Sequence, residues 1–155
     1  LDRLNLDFQV IVVCGNNKRM YKKVKNLITR KRFDIYGYVE NVDVMMDAAD
    51  CIITKPGGIT ASEALSKGLP MIMVNPIPGH EMRNVEFMLN NGLAVYATNS
   101  FPLDEAVFSL FQHPERIRML RSAIDIYKKQ NAAQKLCNFL LNELKEQKAS
   151  GEEAN

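Results

Sequence analysis

CIITKPGGITASEALSKGLPMIMV, residues 51–74, reads as three elements in a row. Cys51 to Thr54 is a short β-branched run and therefore a strand. Ile59 to Lys67 has the spacing of a helix, and Gly68 stops it. Met71 to Val74 is apolar without alternation, as expected of a strand covered on both faces. Two strands joined by one helix lie parallel, because parallel neighbours need a crossover connection. This stretch alone predicts an α/β layer architecture.

The pattern continues in both directions. Upstream, Phe8 to Cys14 (FQVIVVC) is a continuous apolar run ending at Gly15-Asn16-Asn17, a second buried strand. Lys18 to Arg30 follows as an amphipathic helix with Tyr21, Val24, Leu27 and Ile28 at spacings of three and four. Phe33 to Val39 is a strand and Val42 to Ala49 a short helix. Downstream, Glu81 to Asn90 is a helix stopped by Asn91-Gly92, and Leu93 to Tyr96 is a fifth strand. Three helices close the chain over Leu103 to Gln112, Pro114 to Lys129 and Ala132 to Lys145, with Pro114 suited to a first helical turn. The expected fold is α/β, a Rossmann-like parallel sheet flanked by helices. Ligands of such sheets lie beyond the carboxyl ends of the strands. Four of the six prolines and four of the eight glycines fall between Pro56 and Gly79, so the site is expected there.

Size and composition bound the reading. The chain has 155 residues, enough for one ordinary domain. With 46% hydrophobic and 25% charged residues it has the composition of a soluble globular protein, and no apolar run approaches a membrane span. No secretory leader is read at the amino end, and a start at Leu1 is expected of a stretch from inside a longer polypeptide. Cys14, Cys51 and Cys137 stand singly, against a disulfide framework or a zinc site and in favour of a reducing cytoplasm. The net charge of +2 is unevenly spread: eight basic residues and no acid lie between Lys18 and Arg32, leaving about −6 elsewhere. That face is either an ordinary solvated helix surface or one attracted to anionic lipid or another polyanion.

Two segments carry the chemistry. Thr54-Lys55-Pro56-Gly57-Gly58-Ile59-Thr60-Ala61-Ser62-Glu63-Ala64 follows a strand and opens a helix. Glycines there admit a ligand close to the backbone, and free N–H groups at a helix start favour an anion such as a diphosphate. It is neither a Walker loop nor GxGxxG. The structural alternative is a tight turn with Thr60 and Glu63 as a capping box. Asn75-Pro76-Ile77-Pro78-Gly79-His80-Glu81-Met82-Arg83-Asn84 again lies between a strand and a helix. His80, Glu81, Arg83 and Asn84 there can reach sugar hydroxyls or phosphate, or can simply be surface groups around a helix start. His80 is a weak candidate for a catalytic base.

Together, TKPGGITASEALSKGLPMI and NPIPGHEMRNVEFMLNNGLAV resemble the carboxyl-terminal, donor-binding half of GT-B glycosyltransferases that use UDP-sugars. The likeness is to the diacylglycerol glycosyltransferases and monogalactosyldiacylglycerol synthase among them, and it runs from about Phe8 to the last helices. The resemblance implies that backbone groups of Tyr38 and Val39 receive uracil. It implies that Gly57, Gly58, Ile59 and Thr60 hold the diphosphate with Lys55 nearby, and that Glu63 accepts hydrogen bonds from the ribose. Glu81, Arg83 and Asn84 match the segment for the donor sugar and adjacent phosphate. Gly-His-Glu stands where Gly-Gln-Glu is commoner.

The resemblance further implies that residues 1–145 form one UDP-sugar-binding domain, that 146–155 are a polar, disordered tail, and that the amino-terminal acceptor domain, with the catalytic base, is absent from this chain. The function expected is donor binding in an inverting transferase that moves a hexose to a membrane lipid such as diacylglycerol. No cofactor and no metal are expected, because no carboxylate pair has ligand spacing. The expected partners are a UDP-sugar, a lipid acceptor held through the absent half and an anionic membrane surface, with no nucleic acid. The expected location is cytoplasmic, peripheral on the inner face of the membrane. A non-catalytic nucleotide-sugar binding subunit and half of a UDP-sugar epimerase remain as alternatives. In the last helix Ala133, Leu136, Phe139, Leu140 and Leu144 form an apolar stripe, expected to face the absent half in part.

Overall fold

The computed structural model describes residues 1–128 and 134–143. Strands and helices alternate as β1 (Val10–Val13), α1 (Lys18–Lys25), β2 (Phe33–Tyr36), α2 (Val42–Asp47), β3 (Ile52–Thr54), α3 (Gly58–Lys67), β4 (Met71–Met73), α4 (Met82–Asn90) and β5 (Ala94–Tyr96). Helices α5 (Leu103–Phe111) and α6 (Pro114–Tyr127) follow, and residues 134–143 are helical. The expected tail at 146–155 lies outside the described residues.

All pairing is parallel, as the strand–helix–strand alternation requires. It forms two ladders: β1 pairs with β2, while β3, β4 and β5 form a trio with β4 in the middle. Met71, Ile72 and Met73 are fully buried because β4 is paired on both edges and covered on both faces. Successive strand residues point to opposite faces, so this one strand feeds two clusters. Ile72 packs against Ala106, Val107 and Leu110 of α5. Met71 and Met73 pack with Ala61 and Ala64 of α3, Val85 and Met88 of α4, and Ile124 of α6.

Local stops account for the helix ends. Gly68 adopts a left-handed φ of 68° after α3, and the Leu69 N–H returns to the Ala64 carbonyl at 2.9 Å. Pro114 occupies the first turn of α6. Helix α1 is shorter than its spacing predicts. It ends at Lys25, leaving Leu27 and Ile28 in the following turn with Ile28 100% exposed. The cause is distant in sequence: the Asp2 carboxylate accepts the N–H groups of Arg30 (2.7 Å) and Lys31 (3.0 Å) and pins a non-helical turn. Strands β1 and β2 likewise end one to three residues inside their apolar runs. Leu136, Phe139 and Leu140 of the expected stripe are exposed, whereas Ala133 and Leu144 lie outside the described residues.

Candidate functional site

The turn between β3 and α3 is built from backbone. Pro56 is buried, the Gly57 N–H bonds the Lys55 carbonyl at 2.8 Å, and Gly57 is extended (φ −68°, ψ 141°) before the helix starts at Gly58. Among the described residues no side chain caps α3. The N–H groups of Gly58, Ile59 and Thr60 therefore have no acceptor within the helix, and the positive end of a ten-residue helix faces the carboxyl edge of the sheet. A capping box by Thr60 and Glu63 is not formed: α3 begins two residues before Thr60, so both residues lie inside the helix. A Cβ added at Gly58 meets nothing within 4 Å, so the room beside this helix start is open. Lys55 and Glu63 are exposed on either side of the turn.

The loop after β4 is tied to this turn. Asn75 takes a left-handed φ of 46° and Gly79 one of 82°, which fold residues 75–80 back on themselves. One oxygen of Glu81 accepts the Ile77 N–H at 2.7 Å. Its other oxygen stands 3.7 Å from where a Cβ of Gly57 would be. The Asn84 amide donates to the Pro56 carbonyl at 2.8 Å. Asn84 thus ties the two segments together and Glu81 folds its own loop beside Gly57, while His80 and Arg83 of the same loop and helix start are exposed.

Tyr38 and Val39 lie at the same carboxyl edge but on the other ladder, after β2. Tyr38 is 67% exposed, and among the described residues the backbone groups of Tyr38 and Val39 form no hydrogen bond. The turn after β1 lies beside them: Gly15, with a φ of 54°, donates its N–H to the Gly37 carbonyl at 3.1 Å. In the sequence Gly15 marks only the end of a strand, and nothing there assigns a role to Asn75. A left-handed asparagine directly before Pro76 is against local preference and shows only in the folded chain.

Burial pushes the Cys51 thiol up to about 12, so it is not a nucleophile near neutrality. The Asp2 carboxyl is held below its usual value mainly by the Lys31 N–H. A cavity of about 690 Å³ opens between residues 2–9 and the turn at Arg30–Arg32, at the amino ends of β1 and β2, the opposite edge from the Gly57–Thr60 turn. Among the described residues no three His, Cys, Asp or Glu side chains gather as metal ligands, and no helix is long and apolar enough to cross a membrane.

A parallel sheet with helices around it, and a glycine turn at its carboxyl edge that presents free N–H groups, define a Rossmann-like half of the GT-B kind. Solved structures share that fold. MurG of Acinetobacter baumannii aligns with a TM-score of 0.66 at 19% identity over 91% of this chain and 43% of that one. The glycosyltransferase SnogD of Streptomyces nogalater aligns with a TM-score of 0.53 at 14% identity over 81% and 38%. The family model for glycosyl transferases group 1 matches residues 2–131, and the chain belongs to that family. Among its relatives is a processive diacylglycerol beta-glucosyltransferase of Bacillus pumilus, 34% identical over 76% of this chain and 31% of that protein. The protein of the same name from Bacillus subtilis is 32% identical over 87% and 36%. The chain spans about a third of the length of the curated relatives it matches.

Proposed function

We propose that these residues bind the donor in an inverting UDP-sugar hexosyltransferase whose acceptor is a membrane lipid such as diacylglycerol. The observation that carries the reading is the uncapped helix start at Gly57–Gly58, braced by Asn84 at the carboxyl edge of the sheet. The family and the names of its relatives support the substrate class. In this reading the diphosphate sits on the N–H groups of Gly58, Ile59 and Thr60 with Lys55 beside it. Uracil meets the free backbone of Tyr38 and Val39, and Glu63 accepts from the ribose. Arg83 reaches the sugar and adjacent phosphate from the loop that Glu81 and Asn84 hold in place.

The acceptor hydroxyl attacks the anomeric carbon from the face opposite UDP. The new C–O bond forms as the bond to the phosphate oxygen breaks, UDP leaves with the electron pair, and the hydroxyl proton passes to a base in the acceptor-binding half. Negative charge grows on the departing phosphate, where the fixed N–H groups stabilise it without reorganising. No metal is needed in this scheme. The basic stretch from Lys18 to Arg32, with Leu27 and Ile28 exposed between its charges, supports peripheral attachment to an anionic cytoplasmic membrane surface. Nucleic acid has no part in it.

Calorimetry with UDP tests the reading. Glu63→Ala is expected to weaken binding by about 1–3 kcal/mol, the scale of a lost hydrogen bond to a charged group, with little change in stability because Glu63 is exposed. Unchanged affinity would remove Glu63 from the site. Binding abolished by a chelator and restored by manganese would refute the metal-free scheme.

A further inference from the structure

At the amino ends of β1 and β2, the cleft of about 690 Å³ is lined by four cations, Arg3, Arg30, Lys31 and Arg32, and by two carboxylates, Asp2 and Asp7. Their partners decide what it can hold. Asp2 is turned to the main chain, where it accepts the N–H groups of Arg30 and Lys31, so it shapes the turn that carries the cations. Arg32 is paired with Asp34 at 3.0 Å. Arg3, Arg30 and Asp7 are exposed, and among the described residues neither of these two guanidinium groups forms an ion pair.

Lys31 differs from the others in being half-buried. Its ammonium donates to the Leu6 carbonyl and lies 4.7 Å from the centre of the Phe8 ring. A carbonyl and a ring face orient this charge without neutralising it, and among the described residues no carboxylate pairs with it. With Arg32 already paired, three cations against two carboxylates leave the cleft about one positive charge, the complement of a singly charged phosphodiester. Guanidinium forks at the rim match its oxygens. The same turn also carries an apolar element: Leu27 and Ile28, just before Arg30, are 58% and 100% exposed. Exposed aliphatic side chains beside unpaired cations suit the boundary between lipid phosphates and acyl chains.

We propose that this cleft is a site for the headgroup of an anionic phospholipid. Lys31, Arg3 and Arg30 hold the phosphodiester, and Leu27 and Ile28 enter the acyl boundary beside it. The inference rests on the membrane attachment set out above and deepens it, from a diffusely basic surface to one cleft with named ligands. It makes no use of the donor turn. The cleft opens at the amino edge of the strands and the Gly57–Thr60 turn at the carboxyl edge, so either site can be lost without the other. A soluble phosphate shares the anion chemistry but leaves Leu27 and Ile28 uncovered, which is why the lipid is the better fit.

Vesicle sedimentation with the natural polypeptide that contains these residues tests it, using phosphatidylcholine vesicles with and without phosphatidylglycerol. Binding is expected to require phosphatidylglycerol, and equal binding to both vesicles overturns the proposal. Arg3→Gln with Arg30→Gln is expected to weaken that binding by about fivefold per guanidinium. Lys22→Gln with Lys23→Gln removes the same charge from the exposed face of α1 and is expected to cost clearly less; equal losses leave only diffuse attraction and overturn the cleft. Leu27→Ser with Ile28→Ser is expected to weaken binding by about tenfold or more, because two apolar side chains no longer leave water. Unchanged binding there overturns the acyl contact and with it the lipid. Inorganic phosphate is expected to release the polypeptide from vesicles no better than sodium chloride of equal ionic strength. Stronger release, abolished by the arginine substitutions, assigns the cleft to a soluble anion and overturns the proposal. UDP affinity measured on the same samples is expected to be the same in every variant. Vesicle binding that follows this pattern without any UDP binding refutes the donor reading and leaves the cleft standing.

Discussion

Residues 1–45 and residues 46–127 use the same vocabulary of short strands and helices, but only the second region holds a core. Every buried apolar residue among those described lies between Met46 and Ile124, and none of α1 is buried. The strand sequences do not explain this, since VIVV of β1 is at least as apolar as MIM of β4. Neighbours do: β4 is paired on both edges and packed on both faces, whereas β1 has one partner and one exposed face. Burial is thus a property of the place a strand occupies, and composition only makes the place tolerable.

Equal truncations in the two regions are expected to have unequal costs. Ile72→Ala in β4 is expected to cost about 2–5 kcal/mol, the range for emptying a well-packed core position. Ile11→Ala in β1 is expected to cost about 0.5 kcal/mol or less, as at other surface sites. Urea unfolding of both variants measures the difference, and equal costs would mean that β1 is as well supported as β4.

Within the well-packed region, Gly58→Val is expected to separate binding from stability. Gly58 is the first residue of α3 and an added Cβ meets nothing within 4 Å. Stability is therefore expected to change by less than about 1 kcal/mol while UDP binding is lost, measured by thermal melting and calorimetry on the same samples. A variant that unfolds but, where folded, binds normally would make the turn structural. Asn84→Ala removes the 2.8 Å bond to the Pro56 carbonyl. It is expected to destabilise by about 0.5–1.5 kcal/mol and to weaken UDP binding, because the brace between the two loops is gone.

The smallest effect belongs to the weakly packed region. The Asp2 carboxyl is depressed below its usual 3.8, chiefly by the Lys31 N–H and further by that of Arg30. A depressed carboxyl contributes its stabilisation above its unfolded-state value and loses it as pH falls through the folded-state value. The turn at Arg30–Lys31 is therefore expected to loosen in acid before the β3–β5 region changes, seen as a shift of the Arg30 and Lys31 amide resonances. Asp2→Asn should abolish that titration, and a turn insensitive to acid would show that Asp2 does not pin it.

What was legible in the sequence followed from short-range rules. The stops at Gly68 and at Asn91-Gly92, the proline in the first turn of α6, and the placing of both polar segments after strands all depend on residues a few positions apart. Three features escaped because distant residues decide them. Leu27 and Ile28 fit the helical spacing of α1, but a carboxylate 28 residues before Arg30 takes that turn out of the helix. The division into two ladders depends on which strands meet, and no single strand's pattern encodes its partner. The brace from Asn84 to Pro56 likewise spans 28 residues, so its amide could not be separated in advance from groups aimed at a sugar. The capping box failed for a local reason: Thr-x-x-Glu fits both a helix beginning at Thr60 and one already under way, and the Gly57-Gly58 pair starts the helix earlier.

The burial of Cys51 also makes the chain its own fluorimeter. A maleimide dye near neutral pH should couple first to Cys137, on the exposed helical stretch, and be refused by Cys51, whose thiol is pushed up to about 12 beneath the helices. With Cys137→Ser and Cys14→Ser in place, the rate of dye uptake at Cys51 becomes a clock for the opening of the strand beside the donor turn, readable during ligand addition without any engineered tag.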